Sequence, residues 1–394
     1  MTGGRSGAAG RVRAQNGPVN TWAAPGRVTV IGEHTDYNAG FVLPVALPLV
    51  TRCTVRRTGE PVARMVSAQR PGETVTVALA GLAEARERIP GWARYVAGVI
   101  DAFAARGIAV PGVRIEVDGA VPIGAGLSSS AALTCAVAGA VRDLCAPELD
   151  RRALIDIAVA AENHYVGAPT GVLDQAASLL CTAGHALFLD VRQFGAGPGG
   201  GSAEAGCAQI PFDLAAAGLV LLVVDTGQPH ENAAGGYARR RAECEAAARE
   251  LGVRSLREIA GPAQVTRIGD PVLRRRARHV VTENARVAAV AARLRAGADP
   301  REIGPILTEG HASLRDDFEV STPALDEAVD AAIAAGAYGA RMVGGGFGGS
   351  AIALVDRARA AAVAPAVGQR LTAAGHPRPR TFAVVPSAGA GPVR

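Results

Sequence analysis

The chain has 394 residues, 49% of them hydrophobic and 20% charged, which is enough apolar content to bury a sizeable core and to form two domains. A modest net charge of +5, with only 4% aromatic residues and no basic stripe interleaved with rings, argues against a nucleic-acid partner. Six cysteines without a C-x-x-C pair, no apolar run of membrane-spanning length and no signal-peptide core point to a soluble cytoplasmic protein with reduced thiols and no membrane partner.

Residues 1–20 are Gly-rich and Arg-bearing with nothing to bury, so they are expected to form a disordered tail. Order should begin at Trp22. A Pro25-Gly26 turn then precedes the β-branched run Val28 to Ile31, a short strand that delivers Glu33, His34 and Asp36 at its end. Carboxylates that accept, an imidazole that does either and Arg27, which donates, together suit a polyhydroxylated ligand. The patterns from Phe41 to Val55 and from Val62 to Leu79 are strand-like, with Arg70-Pro71-Gly72 as a turn and Ser67 on one strand. Between Trp92 and Arg106 the spacing of Tyr95, Val99 and Phe103 gives one apolar helical face.

Alternating Val113, Ile115 and Val117 lead into the stretch Val121 to Leu133, which reads VPIGAGLSSSAAL, and an Ala-rich helix follows to Leu144. Gly124 and Gly126 let the backbone fold tightly, and Ser128, Ser129 and Ser130 stand where a helix leaves its first amides unpaired, a natural seat for phosphate. All 41 basic residues are arginines. Without a lysine, a Walker-type loop, a protein kinase or a Schiff-base enzyme is excluded, and phosphate here must be held by amides, the helix dipole and a hydroxyl-bound metal.

A second helix is expected from Arg151 to Tyr165, where Leu154, Ala158 and Glu162 share one stripe, so that Glu162 is a carboxylate in want of a cation. Val172 to Cys181 starts another helix with Asp174 in its first turn. After a strand from Ala186 to Val191, the Gly195 to Ser202 stretch reads as the domain boundary. The second half reads as strand Leu219 to Asp225 and helices Gly236 to Gly252, about Pro271 to Ala296, Arg301 to Arg315 and Pro323 to Ala335. A Gly-rich turn, strand Ala351 to Val355, a helix and strand Thr381 to Val385 complete an α/β sandwich pattern. In the turn, five of the six residues from Gly344 to Gly349 are glycine, which implies close passage of the backbone by another segment or a ligand.

Taken together, these segments resemble the galactokinases of the GHMP small-molecule kinase superfamily. The run Gly26 to Asn38 is similar to the galactokinase signature and the serine loop to the superfamily's phosphate motif. Arg276 to Asn284, Ser313 to Asp317 and Gly344 to Gly349 also look like galactokinase segments, with departures at Thr29, Thr170, Ser350 and the Gly235-Gly236 pair. The resemblance implies an α+β, two-domain GHMP kinase fold. Residues 21–205 would form an N-terminal ribosomal-protein-S5-domain-2-like domain and residues 206–388 a C-terminal ferredoxin-like α/β sandwich.

It further implies ATP-dependent phosphorylation of α-D-galactose at the anomeric hydroxyl, the entry to the Leloir pathway, with Mg²⁺ as cofactor and the chain acting as a monomer. By this carry-over Glu33, His34, Thr35 and Asp36, with Gly171 and Tyr237, bind the sugar. Gly124, Ala125, Gly126, Leu127, Ser128, Ser129 and Ser130 bind the nucleotide phosphates, with Ser67 near the adenine. Ser130 and Glu162 would hold the metal, Asp174 would be the proton acceptor, and Arg27 would be its neighbour and stabilise the transition state. Because phosphoryl transfer rewards positioning over early deprotonation, Asp174 is expected to orient the sugar hydroxyl and take the proton late. Two alternatives are another kinase of the superfamily, acting for example on N-acetylgalactosamine or arabinose, and a galactose-sensing regulator without catalysis.

Overall fold

A computed structural model describes residues 19–168, 170–194, 205–228 and 233–393. Most of the expected tail and the Gly195 to Ser202 stretch lie outside the described residues. Two sheets organise the rest. The first is built from β1 (Val19–Ile31), β2 (Phe41–Arg57), β3 (Val62–Ser67), β4 (Thr74–Ala78), β5 (Val113–Gly119), β6 (His185–Asp190) and β7 (Cys207–Pro211). Its main path runs β1-β2-β5-β3-β4, with β6 on β2 and β7 on β6, and only β3 and β5 run parallel. Helices α1 (Gly91–Ala104), α2 (Ser129–Cys145), α3 (Arg151–Ala160) and α4 (Leu173–Leu180) pack with it around one core. The single turn α5 (Val191–Phe194) follows β6.

The second sheet is formed by β8 (Leu219–Asp225), β9 (Gly339–Val343), β10 (Ser350–Asp356) and β11 (Arg380–Val384). These pair antiparallel in the order β11-β8-β10-β9, the split βαβ arrangement of ferredoxin-like folds. Around it lie α6 (Ala233–Glu250), the short α7 (Pro262–Val265), α8 (Pro271–Arg295), α9 (Gly304–Asp316), α10 (Pro323–Ala334) and α11 (Arg357–Ala373). Finally β12 (Gly391–Pro392) returns to pair with β1 of the first sheet.

Strand β8 reads LVLLVVD because it is covered on both faces, and the period of two sends alternate residues to different cores. Val220, Leu222 and Val224 join the core shared with the second set of helices, whereas Leu219, Leu221 and Val223 meet Val28, Val30, Leu43 and Val45 from β1 and β2. The two halves are therefore joined by a continuous apolar layer. The boundary expected at 205/206 falls just before β7, which still pairs with the first sheet; by strand pairing the change of sheet comes between Pro211 and Leu219.

Two local expectations are corrected. Pro25-Gly26 is a bulge inside β1 rather than a turn before it, with the register shifting between Pro25 and Arg27. Ser178 of α4 donates to the Pro25 carbonyl, and the Arg27 amide donates to the Leu127 carbonyl, so both sides of the irregularity are bonded. The helix expected from Arg151 to Tyr165 ends at Ala160 and continues through Val166 as a wide turn with π-helical bonding. Such turns re-aim side chains, and this one carries Glu162.

Candidate active site

An open cleft of about 520 Å³ lies where the end of β1, the serine loop, the start of α4, the start of α6 and the Gly344 to Gly346 turn converge. The β1 bulge turns Arg27 into it. From there Arg27 Nε and Nη2 reach Asp174 Oδ1 at 2.8 and 2.7 Å, and Nη1 donates to the Gly126 carbonyl at 2.8 Å. The other Asp174 oxygen accepts from Ser128 Oγ at 2.6 Å. A carboxylate, a guanidinium and the phosphate-type loop are thus one hydrogen-bonded unit.

On one side of Asp174 stands the sugar-type cluster. Glu33 Oε1 accepts from the Gly344 amide at 2.7 Å. Burial pushes its pKa up to about 7, against the pull of Arg27 and Arg341. Burial likewise raises Asp36 to about 6, and it lowers His34 to about 3, so the imidazole is neutral. His34 Nδ1 lies 3.0 Å from the Tyr37 hydroxyl, and the ring is surrounded by Tyr37, Tyr237 and Phe318. Gly171 is glycine for a steric reason: a Cβ there would lie 2.0 Å from Asp36 Oδ2.

On the other side, the serine loop opens α2. Ser128 adopts a left-handed backbone, as do His34 and Phe347; these are three of the five non-glycine residues with positive φ among the described residues. Strain of this kind persists where the surroundings over-determine the backbone. Gly344 passes so close to the loop that a Cβ would stand 3.0 Å from the Gly126 carbonyl. Ser350 donates to the Ala125 carbonyl at 2.7 Å and ties β10 to the loop. Both Gly-rich segments are therefore needed for one close approach.

Glu162 is 1% exposed, with Ser130 Oγ 3.5 Å from Oε2 and Thr134 Oγ1 3.3 Å from Oε1. Burial first, and the Asp174 carboxylate second, push it up to about 7. Among the described residues no arginine pairs with it. A buried carboxylate flanked by the Ser130 and Thr134 hydroxyls and the Gln175 amide, with no cationic partner, fits a hard, oxygen-seeking cation. Among the described residues no group of three or more His, Cys, Asp or Glu is arranged to hold a metal ion, so such an ion would complete its shell with substrate oxygens and water.

Of the residues expected from the sequence, Arg27, Glu33, His34, Asp36, Gly126 to Ser130, Gly171, Asp174 and Tyr237 line the cleft together. Glu162 stands beside it, behind Ser130. Thr35 does not line it: its hydroxyl turns inward, within 2.8 and 2.6 Å of the Gly32 and Phe41 carbonyls. Gly124 and Ala125 precede the part of the loop that faces the cleft. Ser67 ends β3, bonded to Gln69, apart from it. Missed in the sequence were Tyr37 and Phe318, which back His34, and Thr134 beside Glu162. Thr134 lies four residues after Ser130, hence on the same helical face, and that was the available signal.

Comparison with known proteins gives the family. The family model for the N-terminal domain of GHMP kinases matches residues 94–182, that for their C-terminal region matches 288–373, and the galactokinase galactose-binding signature matches 13–57. The galactokinase of Streptomyces coelicolor is 49% identical over 377 residues, covering 95% of this chain and 94% of that one. This chain belongs to the galactokinase family. A galactokinase of Mycobacterium tuberculosis is 44% identical over 370 residues, covering 92% and 97% of the two chains. The structure of Lactococcus lactis galactokinase complexed with galactose superposes with a TM-score of 0.85 at 30% identity, covering 95% of each chain. A mevalonate kinase from Methanococcus jannaschii, at 16% identity and a TM-score of 0.65 over 95% and 99% of the two chains, shares the GHMP fold alone. The galactokinase signature spans β1, the loop after it and β2, and so contains Arg27, Glu33, His34 and Asp36.

Proposed function

We propose that this protein transfers the γ-phosphoryl group of ATP to the anomeric hydroxyl of α-D-galactose, giving galactose 1-phosphate and ADP, in the cytoplasm and as a monomer. The observation that carries the reading is Asp174, held by Arg27 and Ser128 between the Glu33 and Asp36 cluster and the serine loop. Among the described residues no helix is long and apolar enough to cross a membrane.

In this reading Glu33, His34, Asp36, Gly171 and Tyr237 hold the sugar, their buried acceptors and neutral imidazole matching a ring of hydroxyl donors. Amides of Gly126 to Ser130 and the positive end of α2 cradle the nucleotide phosphates. Ser130 and Glu162 would hold magnesium, whose charge would offset that of the phosphates. Phosphoryl transfer passes through a loose transition state, so positioning matters more than early deprotonation. Asp174 aligns the anomeric hydroxyl by accepting its hydrogen bond and takes the proton late. Arg27 fixes that carboxylate with two of its nitrogens and supplies positive charge near the transferred group.

The test is steady-state ADP release with a panel of galactose, N-acetylgalactosamine, arabinose and mevalonate. A kcat/KM for galactose at least about 100-fold above the others supports the reading, since a site built around hydroxyls penalises analogues that leave its buried groups unpaired. A preference for another member of the panel replaces it.

A further inference from the structure

The 32–41 loop, which carries Glu33, His34 and Asp36, is bonded along its backbone to a helix that lines no part of the cleft. The Gly32 amide donates to Glu283 Oε1 at 3.0 Å, and the Phe41 amide donates to Asn284 Oδ1 at 2.8 Å. Between these two, the Glu33 carbonyl lies 3.2 Å from His279 Nε2. A carbonyl only accepts, so Nε2 carries the proton, and Nδ1 then accepts from Ser313 Oγ at 2.9 Å. Burial holds His279 well below its usual range, at about 4, so this single neutral tautomer is kept. Residues 279, 283 and 284 all lie on the buried side of α8 and meet both ends of the loop.

The face is itself immobilised. Glu283 and Arg341 are fully buried and paired at 2.7 Å, Arg286 adds a second contact at 2.8 Å, and the two guanidiniums hold the Glu283 carboxyl far below its ordinary value despite burial. Gly40 is glycine because a Cβ would stand 2.5 Å from Asn284 Oδ1. Arg276 and Arg278, on the same helix, bond to Asp317 after α9. The Arg276 to Asn284 and Ser313 to Asp317 segments, which the chemistry of the cleft does not use, therefore form one scaffold behind the loop.

We propose that His279, Glu283 and Asn284 are positioning residues for the sugar. They hold the 32–41 backbone in its binding geometry before galactose arrives, so that galactose affinity depends on a helix that touches no substrate. The inference rests on the reading that Glu33 and Asp36 bind the sugar. Pre-formed geometry of this kind lowers the ordering cost of binding, and it belongs to the sugar step rather than to the nucleotide step.

The experiment compares Asn284→Ala, Asn284→Asp and Asp36→Asn with the unaltered protein, reading galactose Kd by calorimetry and the KM of each substrate. Asn284→Ala should raise galactose Kd and KM by about tenfold, the size of one lost hydrogen bond, with the ATP KM within about twofold. Asn284→Asp keeps the acceptor for the Phe41 amide and should restore most of that loss. Equal losses for both substrates, or no rescue by Asp, would show a merely structural role and overturn the proposal. If Asp36→Asn weakens galactose and Asn284→Ala does not, the proposal fails alone; if Asp36→Asn binds galactose normally, the sugar-site reading fails with it. Should Asn284→Ala not fold, Ser313→Ala removes only the partner of His279 Nδ1. Faster amide exchange across 32–41 with weaker galactose binding is then expected, and faster exchange with undiminished binding overturns the proposal.

Discussion

Replacing Asp174 with Asn separates alignment from proton transfer. In the native site, one carboxylate oxygen receives two arginine nitrogens and the other receives Ser128 Oγ at 2.6 Å. Asn retains one oxygen able to accept from Arg27, so the geometry largely survives, while the charge and the proton acceptor are lost. Positioned proton acceptors contribute about 10²–10⁴-fold, so kcat should fall by that factor. Arg27 is only 6% exposed, but Glu33 and Asp36 remain near it to offset its charge. The structural cost should therefore stay under the roughly 3–5 kcal/mol of a fully broken buried pair. The assay is ADP release for kcat alongside calorimetric titration of galactose. Galactose Kd should change by less than about fivefold, because the sugar keeps its contacts with Glu33 and Asp36. Equal losses in kcat and galactose affinity, or a kcat within tenfold of the parent, would refute the assignment.

Glu162, raised to about 7 by burial, is partly protonated at neutral pH in the free protein, so binding of magnesium-nucleotide near pH 7 should release a proton. Calorimetry in buffers of different ionisation enthalpy should detect that release in the parent and not in Glu162→Gln. The folded pKa values of Glu33, Asp36 and Glu162 all lie above their ordinary ones, so their contribution to stability is complete below about pH 4 and is lost as pH rises through 6 to 7. Chemical denaturation of the ligand-free protein should show this decline, and replacing all three by amides should flatten it. Gly171→Ala should raise galactose KM by more than about tenfold, because the new Cβ collides with Asp36 Oδ2 and overpacking of this kind costs roughly 1–3 kcal/mol; unchanged KM would show that Asp36 is not a sugar contact. Thr29 is fully buried with its hydroxyl unpartnered among the described residues, so the isosteric Thr29→Val should stabilise the fold by about 1 kcal/mol in a urea titration.

Elements whose signals are local were legible in the sequence. Leu219 to Asp225 matches β8 residue for residue, because a continuous apolar run between Gly218 and the polar Asp225-Thr226 pair admits few alternatives. The start of α8 follows from Asp270, which caps the amides of Val272 and Leu273, with Pro271 in the first turn. Strand β9 was not seen. It reads GARMV, and its central Arg341 looks like a surface residue until Glu283, 58 positions away in the chain, neutralises it. Nor does a Pro-Gly pair announce a bulge, since that outcome depends on Ser178 and Leu127 satisfying the displaced backbone.

The site divides in the same way. Gly126 to Ser130 could be read as a phosphate seat from local chemistry, and Glu162 as a buried carboxylate from its stripe. The pairing of Arg27 with Asp174 spans 147 residues and came only from the resemblance. Thr35 was placed with the sugar because it lies within the signature, yet its hydroxyl serves the loop's own carbonyls.

In this reading a lysine-free cleft moves a phosphoryl group onto a hexose. Phosphorus NMR of the purified protein with galactose, ATP and magnesium tests that directly. It should show the γ-phosphate resonance replaced by a sugar-phosphate signal coupled to the anomeric proton, in step with ADP. Binding of both ligands with the ATP resonances unchanged would contradict it.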